Sequence, residues 1–156
     1  MMEVRKKGNI EFFRIADLDR TLLPFVGDIV AGFPSPAEDY MDKVISLDSQ
    51  LINDKNATII GKINGLSMVD ANLDDGDLVV IDRSMKPKDG DIVICRLNSE
   101  FTCKQIQILD EPRRVLLVPA NKKFKSIEIE SEDDFIIEGV VTYVIKKVSA
   151  TKKWNL

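Results

Sequence analysis

The chain has 156 residues, 44% apolar and 31% charged, and a formal charge of −4 from 22 Lys+Arg against 26 Asp+Glu. That length suits one compact domain with a short extension, and the apolar share excludes wholesale disorder. An acidic chain with no large basic block is poorly built to hold DNA by its phosphates, and the complete lack of histidine excludes Ser-His-Asp and Cys-His nucleophile systems, histidine bases and histidine metal sites.

Residues 1–30 alternate apolar clusters with charges and show no strong helical period. Phe12, Phe13, Ile15, Leu18, Leu22, Leu23, Phe25, Val26, Ile29 and Val30 make this stretch too apolar for a free tail. It reads as an extended arm lying on something, or equally as an ordinary N-terminal strand. Phe33-Pro34-Ser35-Pro36-Ala37-Glu38 is a helix start, with Ser35 as N-cap, Pro36 at N1 and Glu38 at N3. Tyr40, Met41, Val44, Ile45 and Leu47 then recur at three- and four-residue spacing, which predicts a short helix to about Leu47. Asp48 is the expected cap of a further turn through Leu51 and Ile52.

After Asn56 the pattern turns to short β-branched runs: 57–63, 78–82, 91–97, 101–108, 115–119, 126–129 and 135–148. Turn chemistry separates them, as in Asp75-Gly76-Asp77 and Lys88-Asp89-Gly90-Asp91. Asn98-Ser99 joins two runs closely enough for a tight hairpin. The expected fold is mostly β, about seven strands with a short N-terminal helix and an extended arm. The expected division is an arm over 1–32, a domain over 33–148 and a loose tail over 149–156.

Cys95 and Cys103 form no Cys-x-x-Cys pair and, without histidine, no zinc site. They read as buried free thiols. The N-terminus has no signal-peptide core, and no run approaches the roughly 18 apolar residues of a membrane span. The expectation is a cytoplasmic protein with no cofactor, no metal and no membrane partner.

Without histidine, a serine nucleophile must find another base: a carboxylate, a neutral lysine or the α-amino group. At a reference pKa of about 10.4, roughly one lysine in 2,500 is neutral at pH 7. Burial on an apolar face, away from carboxylates, lowers that pKa. In Phe101-Thr102-Cys103-Lys104-Gln105-Ile106-Gln107-Ile108, period two puts Lys104 on the face of Ile106 and Ile108. Parity alone also fits a strand-end lysine whose ammonium reaches water. The candidate nucleophile is Ser67 in Gly65-Leu66-Ser67-Met68, where Gly65 gives the backbone freedom to present the hydroxyl and turn N–H groups toward a substrate oxygen. Gly-x-Ser alone fits any loop.

Taken together and in order, Gly65-Leu66-Ser67-Met68, Asp75-Gly76-Asp77-Leu78-Val79-Val80-Ile81-Asp82, Gly90-Asp91-Ile92-Val93, Glu100-Phe101-Thr102-Cys103-Lys104, Pro119-Ala120-Asn121-Lys122-Lys123-Phe124 and Ile137-Glu138-Gly139-Val140-Val141 resemble the LexA/UmuD self-cleaving peptidase family. The 37-residue separation of Ser67 and Lys104 matches that family's spacing. Upstream, the run from Ala31 to Tyr40 resembles its UmuD branch. The resemblance covers roughly residues 25–148. Leu66, Cys103 and Gln105 depart from the usual residues, and the two apolar changes keep Lys104 dry.

The resemblance implies a peptidase domain in which Ser67 is the nucleophile and Lys104 the general base. It implies an oxyanion hole from the backbone N–H groups of Leu66 and Ser67, and a scissile bond between Ala31 and Gly32. Cutting there would release residues 1–31. It further implies a homodimer, stimulation by RecA filaments on single-stranded DNA in the SOS response, and service of the trimmed dimer as accessory subunit of a UmuC-like Y-family DNA polymerase. Thirty-one residues before Gly32 carry no helix-turn-helix pattern, so sequence-specific DNA binding is not expected. The competing readings are an intermolecular protease of signal-peptidase type, a repressor relative, and a noncatalytic dimeric binding module.

Overall fold

The computed structural model describes residues 4–7, 10–14, 22–24, 31, 44–149 and 154. From Asn56 onward the β-branched runs become seven strands at nearly the expected bounds. These are β5 (Thr58–Ile63), β6 (Leu78–Asp82), β7 (Ile92–Leu97), β8 (Glu100–Leu109), β9 (Arg114–Val118), β10 (Ile127–Glu128) and β11 (Phe135–Ile145). Four earlier strands precede them: β1 (Val4–Lys7), β2 (Ile10–Arg14), β3 (Leu22–Pro24) and β4 (Val44–Ser46). The main sheet has nine antiparallel strands in the order β1-β2-β5-β6-β11-β7-β8-β9-β10, and β3 pairs β4 in a separate ribbon.

The two open readings of the arm meet in this topology. Its first described residues are strands, and they extend the sheet: β2 lies antiparallel on β5, from Ile10 opposite Ile63 to Arg14 opposite Ile59.

The helix to Leu47 is a correction, whereas the further turn through Leu51 forms as expected with a different cap. Residues 35–43 lie outside the described residues, but Val44–Ser46 is strand and the helix, α1, runs Leu47–Leu51. Its N-cap is Ser46, whose hydroxyl accepts the Ser49 N–H at 3.4 Å, while Asp48 sits in the first turn. Pairing with β3 takes Val44 and Ile45 into a ribbon, so tertiary pairing overrides their helical spacing.

Asn98 and Ser99 both adopt positive φ, 49° and 72°, and join Leu97 to its register partner Glu100. That is the two-residue turn whose twist suits a hairpin. β6 is buried along its whole length. β11 binds β7 with its first half and β6 with its second, and Val140 is opposite both Val93 and Asp82. Register shifts at Ile137/Gly139 and Val141/Tyr143 bend it across the sheet.

Two apolar clusters form the core. Ile63, Met68, Leu73, Val79, Ile81, Ile94 and Cys103 make the larger, and Val93, Ile106 and Val140 the smaller. Both cysteines are buried free thiols. The tail is less loose than expected at one point: Trp154 is half-buried and borders a cavity with the Asp74–Asp77 turn and Lys146–Val148. No helix among the described residues is long and apolar enough to cross a membrane.

Candidate active site

Ser67 lies in the long connection between β5 and β6. The base of that connection is clamped by backbone bonds: Ile63 N–H donates to Asp77 O at 2.8 Å, and Gly76 N–H to Ile63 O at 2.7 Å. Inside it, Gly65 has φ +118°, a conformation that an L side chain rarely adopts. Its N–H donates to Asp75 Oδ1 at 2.7 Å. A 3-10 turn, Val69–Ala71, follows the serine and ends at Asn72 in the left-handed region. Met68 plugs this turn into the larger core cluster.

The far side of the turn is tied to the loop after β9. Asp70 N–H donates to Ala120 O at 2.8 Å, and Asn121 Nδ2 donates to Leu66 O at 2.8 Å. On the opposite flank, Lys146 Nζ donates to Asp74 Oδ2 at 2.6 Å and also to Asp77 Oδ2. The Asp74 and then Asp77 carboxylates hold the Lys146 ammonium above its usual pKa. The serine turn is therefore pinned from three sides.

Lys104 comes from β8, opposite Val93 on β7. The parity reading holds: Ile106 on its face is buried, while Gln105 and Gln107 are exposed. Lys104 itself is only 8% exposed, so its ammonium does not snorkel to water. Nζ donates to Ser67 Oγ at 2.9 Å, to Thr102 Oγ1 at 2.8 Å and to Cys103 O at 3.1 Å.

No carboxylate is among those partners. Burial lowers the Lys104 pKa below the ordinary lysine value. Burial also pushes both the Cys95 and Cys103 thiols up to about 12. Both are thus neutral near pH 7 and give the ammonium no compensating anion.

The three partners divide by chemistry. The Cys103 carbonyl can only accept. The two hydroxyls can accept or donate. An ammonium uses all three as acceptors. A neutral amine keeps two N–H donors, for Cys103 O and Thr102 Oγ1, and its lone pair is left for the Ser67 O–H. That arrangement is a hydroxyl with a proton acceptor already in contact. The two groups border a small cleft of about 30 Å³, lined by Ile63, Asn64, Gly65, Ser67, Met68, Thr102, Cys103 and Lys104. Such a volume holds about one or two waters.

Among the described residues, neither the Leu66 nor the Ser67 backbone N–H has a hydrogen-bond acceptor. Ala31 is an exposed bend residue and does not line the cleft; Gly32 lies outside the described residues. The structure thus brings Ser67 and Lys104 together, with Leu66 next to the serine in the chain, and Ala31 is not among the residues lining their cleft.

Sequence reasoning passed over Thr102, Asp75 and Asn121 as site residues. Thr102 carried a signal, because it sits two residues before Lys104 on the same strand face. Asp75 and Asn121 act across the fold, ten and 55 residues from their partners, and the turn motifs they belong to do not show which loop they reach.

Comparison with known proteins bears on this site. The family described as Peptidase S24-like matches residues 24–142. The chain is 32% identical over 132 residues to a LexA repressor of Bordetella avium, covering 85% of this chain and 61% of that protein. It is 40% identical over 121 residues to Protein SamA of Salmonella typhimurium, 78% of this chain and 82% of the relative. It is 41% identical over 118 residues to Protein ImpA of Escherichia coli, 75% and 78%. Against the two Bordetella LexA repressors the chain spans less than two thirds of their length, 61% and 58%.

Proposed function

The chain belongs to the Peptidase S24-like family, of LexA/UmuD type, and from that premise we propose that it is a self-cleaving serine peptidase with a Ser67–Lys104 dyad. The observation that carries this reading is the 2.9 Å contact of Ser67 Oγ with a buried lysine that has no carboxylate partner among the described residues.

In the proposed reaction, neutral Lys104 takes the Ser67 proton as Oγ attacks the carbonyl carbon of Ala31. The tetrahedral oxyanion is met by the Leu66 and Ser67 N–H groups. Its collapse breaks the Ala31–Gly32 C–N bond, and the Lys104 ammonium returns a proton to the Gly32 amine. Residues 1–31 are then held as an ester on Ser67. Water, deprotonated by Lys104, attacks that ester and restores the hydroxyl. One peptide bond and one water become one carboxylate and one amine. A cleft with room for about one or two waters admits only a small side chain such as the Ala31 methyl, while the rest of the segment would lie outside it.

The arm then corresponds to residues 1–32, the peptidase domain to 33–148 and the tail to 149–156. The partners are those implied by the UmuD-type resemblance: a homodimer, RecA filaments as activator, and a UmuC-like Y-family polymerase served by the trimmed form in the SOS response. Similarity to SamA and ImpA over most of their length supports this branch.

Intact mass after incubation at pH about 7 and about 10 tests the dyad and the bond together. Wild type should give fragments of 31 and 125 residues, faster at high pH. Ser67→Ala and Lys104→Ala should give none. A chain left uncut at both pH values and with RecA filaments would sink the peptidase and favour the binding module.

A further inference from the structure

The loop that locks the serine turn is also a concentrated positive patch on an acidic protein. Asn121 bonds Leu66 O through its amide, and its own carbonyl and side chain fold the next residues into a turn: Phe124 N–H donates to Asn121 O, and Lys123 N–H to Asn121 Oδ1, each at 3.0 Å. Lys122, Lys123 and Lys125 project from this turn into solvent. Among the described residues none of the three forms an ion pair. Beside them, Phe124 is 47% exposed and Leu66, next to the serine, 57%. Three exposed lysines without an ion pair among the described residues, and two exposed apolar side chains, therefore sit on or next to a turn that Asn121 ties to Leu66, the neighbour of Ser67.

The sequence holds a segment of complementary character. Residues 21–42 contain Asp28, Glu38, Asp39 and Asp42 and not one Lys or Arg. They also contain Phe33, Pro34, Pro36 and Tyr40. The Ala31–Gly32 bond lies within this run. From Gly32 to Glu38 is six residues, up to about 20 Å of extended chain, so the acidic residues can lie well away from the cleft while the bond is in it.

We propose that Lys122, Lys123 and Lys125, with Phe124 and Leu66, form the docking surface for this chain's own acidic segment, residues 33–42, and so determine which peptide bond is delivered to Ser67. The inference rests on the self-cleavage reading for its consequence, but not for the docking itself. Exposed charge pairs steer and register an approach more than they tighten it. Their effect should therefore appear in how often the bond reaches the cleft, and should fade with salt.

Two measurements separate the docking from the cleavage. In the first, the rate of cutting is followed by mass at pH about 9 in low salt. Lys122→Glu/Lys123→Glu/Lys125→Glu should slow it about tenfold, with the corresponding glutamine triple variant in between. Adding Glu38→Lys/Asp39→Lys to the glutamate variant should restore much of the loss, and salt should shrink every difference. In the second, a fluorescent peptide of residues 21–42 is titrated into the full chain carrying Ser67→Ala. It should bind in low salt and lose about tenfold in affinity with the glutamate variant. Charge-dependent peptide binding by a chain that never cuts would uphold the docking surface while refuting the peptidase. Cutting that ignores the lysines would overturn the docking surface while leaving the peptidase standing. So would a peptide that binds both chains equally. Equal charge-dependent binding of a single-stranded oligonucleotide would assign the patch to nucleic acid and overturn it as well.

Discussion

Lys104 Nζ and Ser67 Oγ are 2.9 Å apart although 37 positions in the chain and two whole strands, β6 and β7, lie between them. The contact unites a hydroxyl held on a pinned turn with an amine held on a strand. Both supports are rigid, so the pair is formed before any substrate enters. What remains variable is the charge of the amine.

That charge sets the pH dependence of cutting. Burial lowers the Lys104 pKa, and only the neutral amine accepts the serine proton. The rate should rise with pH, climb through a midpoint below 10.5, and level off above it. Rates from pH 6 to 11 by intact mass give the curve. A flat profile, or a midpoint at or above 10.5, would mean that Lys104 is not the base.

The same burial costs stability, and the sign follows from proton binding. With a folded pKa below the unfolded value, the unfolded chain binds more protons between the two values. Stability therefore increases as pH rises from the folded pKa toward 10.5. Lys104→Met removes the buried charge and keeps the stem's volume. It should stabilise the protein by about 1–3 kcal/mol at pH 7, with the gain shrinking toward pH 10.5. Thermal unfolding of both proteins across that range tests it. A loss at pH 7 would show that the three oxygen acceptors fully repay the desolvation.

Thr102 is predicted to set the direction of the amine. Its Oγ1 accepts from Nζ at 2.8 Å. Thr102→Val keeps the shape and removes the acceptor. One lost hydrogen bond of about 1–1.5 kcal/mol corresponds to roughly a tenfold slower plateau. The ammonium also loses an acceptor while the neutral form loses less, so the midpoint should move down. A slower plateau with an unmoved midpoint would point to simple misplacement of the serine turn.

Much of this was legible in the sequence, for identifiable reasons. Strands such as Leu78–Asp82 and Ile92–Leu97 announce themselves because β-branched runs end in turn residues. Lys104 stood out because one charge interrupted an apolar parity. The helix end failed because Val44 and Ile45 carry helical spacing and β-branched side chains at once, and pairing with Leu23 and Pro24 decided between them. The roles of Asp75 and Asn121 were not legible, because Asp75 meets Gly65 only when the β5–β6 connection folds back and Asn121 meets Leu66 only when the loop after β9 packs against it.

Gly139 tests the packing that carries the strand bearing Val140. It sits at the register shift between β11 and β7. A Cβ built there would meet Ile81 Cγ2 at 2.6 Å and the Asp82 carbonyl oxygen at 3.0 Å. Ile81 is fully buried in the larger cluster, so its methyl can yield only by disturbing neighbours, and the Asp82 backbone is fixed by pairing with β5 and β11. Gly139→Ala should therefore destabilise by about 1–3 kcal/mol through overpacking. Because this strand lies two sheet positions from β8, the Ser67–Lys104 contact should survive in the fraction that is folded. Denaturant unfolding measures the first effect, and the cutting rate per folded molecule the second. A variant as stable as wild type would mean that β11 can slide at its bulge, and that Gly139 is there for some reason other than close approach.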